Sequence, residues 1–290
     1  MASSKASRSA EGVAAFRVIE TLKPEGERIV SDPYAHALIP GGLGFSISMW
    51  IIKSGLYERM APGAEGFIVG RERYIDDYLK ARLAEGLDQV VLLGAGFDTR
   101  AFRIAGIERT RVFEVDQPET QAVMVERLHK VIDPMPGNVT FVPADLNTQQ
   151  LGDVLRAAGY DEHAKTVFIW QGVTYFLQPE GIDRTLAFIA DHSAPGSSVV
   201  FDYIYGATLR DTTQGYGKTL ARAGKASGEP YVFGIDEGHV ESFLTQRGFC
   251  QVSDTSLEEI KATYFTGPNA ARAVVSGAIS IAAATVGRGE

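Results

Sequence analysis

Cysteine is almost missing from this 290-residue chain: Cys250 stands alone. That excludes an intrachain disulfide framework and any zinc site built from several thiolates, and it fits a reducing cytoplasm. Placed in an apolar run after Phe249, the thiol is expected to be buried packing. The five histidines (His36, His129, His163, His192, His239) form no HExxH or HxxxH pair, so no metal is expected. Positive charge is also short. Lys and Arg number 28 against 36 Asp and Glu, a formal charge of −8, which argues against a nucleic-acid partner and for a small substrate. Long apolar runs are absent as well. Leu43–Ile52 is closed by Lys53 and falls short of the roughly 20 residues a membrane span needs. The Ala- and Val-rich stretch Ala273–Val286 contains Gly277 and reads as strand. No apolar core of a secretory signal follows the first ten residues, and residues 1–12 are expected to be a flexible tail.

What remains is the composition of a folding chain, 45% hydrophobic and 22% charged. From about residue 66, hydrophobic periodicity alternates between helix and strand. Ile68, Ile75, Leu79 and Leu83 mark a helix, and Gln89–Leu93 is a short apolar run ending in glycine. Further strands are expected at Arg111–Val115, Val139–Val142, Thr166–Trp170, Ser198–Ile204, Phe249–Val252 and Ile279–Val286. Pro118 and Pro179 open helices between them, Thr148 is a possible cap for a third, and Asp236 can cap a fourth through Val240, Phe243 and Leu244. Seven strands in this order predict an α/β fold. It is a doubly wound, Rossmann-like, mostly parallel sheet in a single domain over residues 13–290. Residues 13–65 would form a helical cap. Residues 205–235, rich in Gly and Thr and without regular period, would be an insertion acting as a lid.

In such sheets ligands sit at the carboxyl ends of the strands. The segment Val90–Arg103, VVLLGAGFDTRAFR, runs from a strand into a turn where Gly94 and Gly96, flanking Ala95, let a ligand approach the backbone. A dinucleotide fingerprint would need a third glycine where Thr99 stands, and the anionic Asp98 disfavours two phosphates. S-adenosylmethionine suits the turn better than NAD. Asp116 ends the second strand 22 residues after Gly94, an offset at which a carboxylate can accept both ribose hydroxyls, with Gln117 beside it. Asp116 could instead cap the next helix. Asp145 ends the third strand and can accept from an adenine amine, with Leu146 alongside the ring; a turn role competes here too.

The combination SDPYA (Ser31–Ala35), GRERYIDDYL (Gly70–Leu79), QVVLLGAGFDTRAFR (Gln89–Arg103), FEVDQP (Phe113–Pro118), ADL (Ala144–Leu146) and WQGVTYFL (Trp170–Leu177) resembles the leucine carboxyl methyltransferase family. These are S-adenosylmethionine-dependent O-methyltransferases, and the resemblance spans roughly residues 13 to 285. It implies that Arg71 pairs with the cofactor's methionine carboxylate, with Arg73 as its rival. It also implies that the methionine part passes over Gly94, that Asp116 holds the ribose, and that Asp145 and Leu146 contact the adenine. The family usually carries glutamate where this chain has Gln171, so the amide either weakens cofactor binding, serves the substrate, or replaces the acid without consequence. Tyr175 would lie over the methyl group or the substrate channel, or simply pack. Arg17, Arg73 and Tyr203 are the further candidates for orienting a substrate.

A carboxylate acceptor is already ionised and needs no base, whereas a hydroxyl would. With no base standing out, and no catalytic residue identified, methylation of a carboxylate on a small molecule or peptide is expected. Ether formation on a hydroxyl, or cofactor binding without turnover, are the alternatives. A nicotinamide oxidoreductase is disfavoured by the missing glycine and by the lack of a Tyr-x-x-x-Lys helix.

Overall fold

The computed structural model describes residues 5–41, 43–146, 148–274 and 277–287. Among them runs one seven-stranded sheet: β1 (Gln89–Leu93), β2 (Arg111–Asp116), β3 (Val139–Pro143), β4 (Thr166–Trp170), β5 (Ser198–Ile204), β6 (Phe249–Ser256) and β7 (Ile279–Val286). The spatial order is 3-2-1-4-5-7-6. The first five strands pair in parallel, and β7 lies antiparallel to both β5 and β6. The central strands are apolar without alternation because helices cover both faces: β1 and β4 are buried at every position. One face packs Phe113, Phe168 and Phe201 under the helix Pro179–Asp191. The other packs Val90, Leu92 and Ile281 against Ile75 and Leu79 of the helix Ala64–Ala84.

The order reverses between β1 and β4, so the loops leaving these two strands diverge and open a crevice. Gly94, at the end of β1, has φ 64°. A Cβ there would stand 2.5 Å from Val173 Cγ2 in the loop after β4, so glycine is what lets the two loops meet at the crevice floor.

Three expectations need correction. The tail is not a tail throughout, since Lys5–Thr21 is a continuous helix whose Ala14 is buried with Phe97 and Met124 and whose Val18 and Ile19 are buried with Ala35 and Met49; residues 1–4 lie outside the described residues. The region 205–235 is largely helical, with helices Gly206–Arg210 and Gly215–Ser227, and Asp236 accepts from Arg210 rather than capping the helix Val240–Thr245. Cys250 is exposed. It sits on β6, the edge strand, where Phe249 takes the inward position and its neighbour is turned to solvent. The apolar stretch near residue 43 is the helix Leu43–Lys53, and among the described residues no helix is long and apolar enough to cross a membrane.

Candidate active site

A cavity of about 420 Å³ fills the crevice. It is walled by the Gly94–Gly96 turn, Asp116 and Gln117 after β2, Asp145 and Leu146 after β3, and Gln171 to Val173 after β4. Arg71 enters from the helix Ala64–Ala84, and Ala10, Val13 and Arg17 close it from the helix Lys5–Thr21. All nine residues expected at the cofactor, Ala95 included, therefore meet on one surface.

Asp116 closes β2 with its carboxylate turned back across the turn. One oxygen accepts from the Gly96 amide and the other from the Gln117 amide at 2.6 Å. Each oxygen keeps a second lone-pair direction for a ligand. Burial raises its pKa, and the two amide hydrogen bonds work in the opposite direction. Glu114, two residues earlier on the same strand face, is 1% exposed, and its Oε1 has no partner. Burial, with Asp98 and Asp116 nearby, pushes its pKa well up.

Arg71 is 3% exposed and stacks over the Phe67 ring at 4.7 Å. Its Nη1 donates to Asp202 Oδ2 at 2.6 Å and, more weakly, to the Tyr175 hydroxyl at 3.4 Å. Burial opposes its charge and Asp202 more than restores it, so its pKa is raised. The Nε donor remains buried without a partner. Asp202 also accepts the Gly172 amide at 2.6 Å, and its carbonyl accepts the Thr174 hydroxyl at 2.6 Å. One carboxylate on β5 thus fixes both the guanidinium and the loop after β4.

Gln171 Nε2 donates to Glu72 Oε2 at 2.8 Å, leaving Oε1 buried with no partner on the cavity wall. Glu72 has no exposed surface. Burial opposes its charge, but Arg100, Arg17 and Arg103 hold its pKa below the ordinary carboxylate range. Arg100 and Arg103 are themselves shared with Asp76, and Arg100 also with Asp98, so the Asp98 charge is spent on an arginine rather than on the turn.

The expected substrate contacts divide. Arg17 lines the cavity, yet its Nε is held by Asp32 at 2.8 Å and Nη2 by the Phe97 carbonyl, so it ties the N-terminal helix to the turn. Arg73 is not at the cavity. It stands on another side of its helix, with Nε on Asp77 at 2.8 Å and Nη1 on the Ile29 carbonyl at 3.1 Å, because the two steps from Arg71 turn a side chain by about 200°. Tyr203 is also misplaced: on β5 its side chain leaves the opposite sheet face from Asp202, among Phe201 and Tyr205, with its hydroxyl on both Asp254 oxygens at 3.0 Å. Tyr175 is buried with its hydroxyl against Arg71. Sequence reasoning missed Asp202 and Glu72. Asp202 had a signal, a lone acid inside the apolar run SVVFDYI; Glu72 had none beyond its place beside Arg71.

Three comparisons bear on this site. The model of the leucine carboxyl methyltransferase family matches residues 10–190. A Mycobacterium bovis protein, named as a candidate S-adenosyl-L-methionine-dependent methyltransferase, is 29% identical over 260 residues, covering 86% of this chain and 81% of its own length. A similarly named Mycobacterium avium protein is 32% identical over 205 residues, covering 67% and 65%. Among solved structures, a candidate methyltransferase from Thermobifida fusca superposes with a TM-score of 0.59 over 96% of this chain and 94% of its own at 15% identity, a likeness of fold. A Streptomyces avermitilis protein of the duf574 family has the same score at 13% identity, covering 94% and 97%.

Proposed function

The chain belongs to the leucine carboxyl methyltransferase family and is an S-adenosylmethionine-dependent methyltransferase, and we propose that it forms a methyl ester on the carboxylate of a small molecule or peptide. The cavity suits the cofactor by an observation of its own: Arg71 Nε, Gln171 Oε1 and Thr120 Oγ1, all from residues lining it, are buried polar atoms without a partner. Such orphans are costly unless a ligand satisfies them. Arg71 would hold the methionine carboxylate, Gln171 the ammonium, Asp116 the ribose, and Asp145 with Leu146 the adenine. The cofactor would supply an electrophilic methyl group to the acceptor oxygen, its sulfonium becoming a neutral thioether as the S–CH3 bond breaks.

The observation that favours ester over ether is the character of the wall. Among the described residues lining the cavity none is histidine, lysine or cysteine, Asp98 is tied to Arg100, and Asp116 accepts two backbone amides. Among the described residues, the other two lining carboxylates, Asp145 at the adenine end and Glu229 from the inserted segment, are the only acids left there to take a proton from a hydroxyl. An ionised carboxylate needs no such group. The chain's own contribution is then to align one acceptor oxygen and to exclude water, which the helix Lys5–Thr21 does by roofing the crevice. The test is transfer from methyl-tritiated cofactor followed by mild base. Volatile labelled methanol is the expected outcome; label retained on the acceptor would mean an ether or amine and would overturn the proposal.

A further inference from the structure

Behind the cavity wall lies a buried ion cluster whose charges do not balance. Glu72, without exposed surface, shares its Oε1 between Arg100 Nη2 at 3.1 Å and Arg103 Nη2 at 2.7 Å. Both guanidiniums are also held by Asp76, and Arg100 by Asp98. Among the described residues the cluster thus sets three carboxylates against two guanidiniums. Arg17 does not restore the balance, because Asp32 pairs with it at 2.8 Å. Burial opposes the charge on Glu72, yet Arg100, Arg17 and Arg103 keep it ionised. An unanswered negative charge in such a place is costly until a cation stands near it.

The second oxygen of Glu72 leads to the cavity. Oε2 accepts from Gln171 Nε2 at 2.8 Å. An ionised carboxylate can only accept, so the amide has one orientation, with its carbonyl turned away from Glu72. That carbonyl oxygen is buried without a protein partner, on a residue that lines the cavity next to Gly172. An amide whose N–H is drawn to a carboxylate is polarised toward its oxygen, so Oε1 is a stronger acceptor than the carbonyl of a solvated glutamine.

Resting on the methyl-transfer reading above, we propose that Glu72 is the positioning residue for the cofactor's ammonium: it fixes Gln171 with its carbonyl toward the ligand and places behind it the surplus negative charge that the ammonium neutralises. Gln171 makes the contact and Glu72 supplies the charge. Most other acids on the cavity wall are engaged or stand elsewhere, Asp98 on Arg100, Asp116 on two backbone amides and Asp145 after β3. Glu229 is the rival. It lines the cavity from the inserted segment, between Gly228 and Pro230, and would meet an amine directly.

Calorimetry on the full chain tests the assignment with S-adenosylhomocysteine and its desamino analogue, which keeps the carboxylate and lacks the amine. The parent protein should prefer S-adenosylhomocysteine by about tenfold, the size of a hydrogen bond to a charged group. Glu72→Gln should reduce that preference to about twofold, the residue of a neutral contact. The ratio of the two ligands within one variant cancels any loss common to both, so a merely structural role for Glu72 leaves it untouched. Exchanging the pair, Glu72→Gln with Gln171→Glu, keeps the charge of the cluster and a hydrogen bond between the two positions, and should fold and restore the preference. If Glu72→Gln alone does not fold, the exchange decides. Glu229→Gln should keep the parental ratio. A parent that binds both ligands equally, a Glu72→Gln variant with the full preference, an exchange that does not restore it, or a preference lost in Glu229→Gln would overturn the assignment. If S-adenosylhomocysteine itself fails to bind the parent, the methyl-transfer reading falls and this one with it.

Discussion

The amide of Gln171 is oriented by Glu72: Nε2 donates to Oε2 at 2.8 Å, and the carbonyl oxygen is thereby turned to the cavity as a bare acceptor. Glu72 carries the negative charge of this pair and is itself restrained by Arg100 and Arg103. Glutamine at 171 is then a requirement of its neighbour, since a second carboxylate would meet the first at hydrogen-bond distance with no proton between them.

Gln171→Glu should therefore be poorly tolerated. The introduced acid's pKa is raised in the folded state by Glu72, so its cost is absent in acid and grows as pH rises through and above the ordinary carboxylate range. A loss of about 3 kcal/mol at pH 8, shrinking toward pH 5, is expected from thermal melts across that range. Identical melting of variant and parent at pH 8 would mean that the amide does not face Glu72.

Arg71→Lys should weaken S-adenosylhomocysteine by about tenfold, because a point ammonium cannot serve Asp202 and a ligand carboxylate as a guanidinium fork does. Arg73→Ala, removing a half-exposed pair with Asp77, should change that affinity by less than about 0.5 kcal/mol. Calorimetry showing the reverse ranking would exchange the roles of the two arginines.

Asp116→Ala should cost about 1.5–3 kcal/mol of cofactor binding by leaving the ribose hydroxyls without a charged acceptor. It should also loosen the Gly96 and Gln117 amides that its oxygens hold. An unchanged dissociation constant would remove Asp116 from the site.

Glu114→Gln should stabilise the protein at neutral pH. The native carboxyl has a raised pKa in the fold, so relative to a neutral amide it costs nothing below its unfolded pKa and progressively more as pH climbs toward the folded value, by about 1.4 kcal/mol per unit. Melting temperatures should diverge above about pH 5 and coincide below it. A constant difference at all pH values would point to packing instead.

The strands were legible because most are short apolar runs, those of β1, β2, β3 and β7 closed by glycine, acid or proline, and all seven lie within a few residues of their expected bounds. So was the turn Gly94–Gly96 with Asp116, whose spacing follows from one strand, one short connection and the next strand. What could not be read was set by partners distant in sequence. Arg71 and Arg73 are two residues apart on one helix, and only the position of β5 decides which meets Asp202. Tyr203 and Asp202 are adjacent, and strand alternation sends just one of them to the site. The inserted segment lacked a clear period because its helix Gly215–Ser227 is crowded with glycine and alanine, Gly215, Gly217, Ala221, Ala223, Gly224 and Ala226, where a stripe of larger side chains would announce itself.

The antiparallel strand β7 separates β5 from β6, so the backbone of β6 pairs with the sheet only through a strand that follows it in sequence. During synthesis from the amino end, β6 emerges after the helix Val240–Thr245 it packs on but before the strand it pairs with, and the β5 border stays open until Ile279–Val286 arrives. Tyr203 and Asp254 cannot join hydroxyl to carboxylate until then, nor can Ser280 close on Asp254. Asp202 lies on that same open border, so the anchor of Arg71 is set in a frame that the chain completes last.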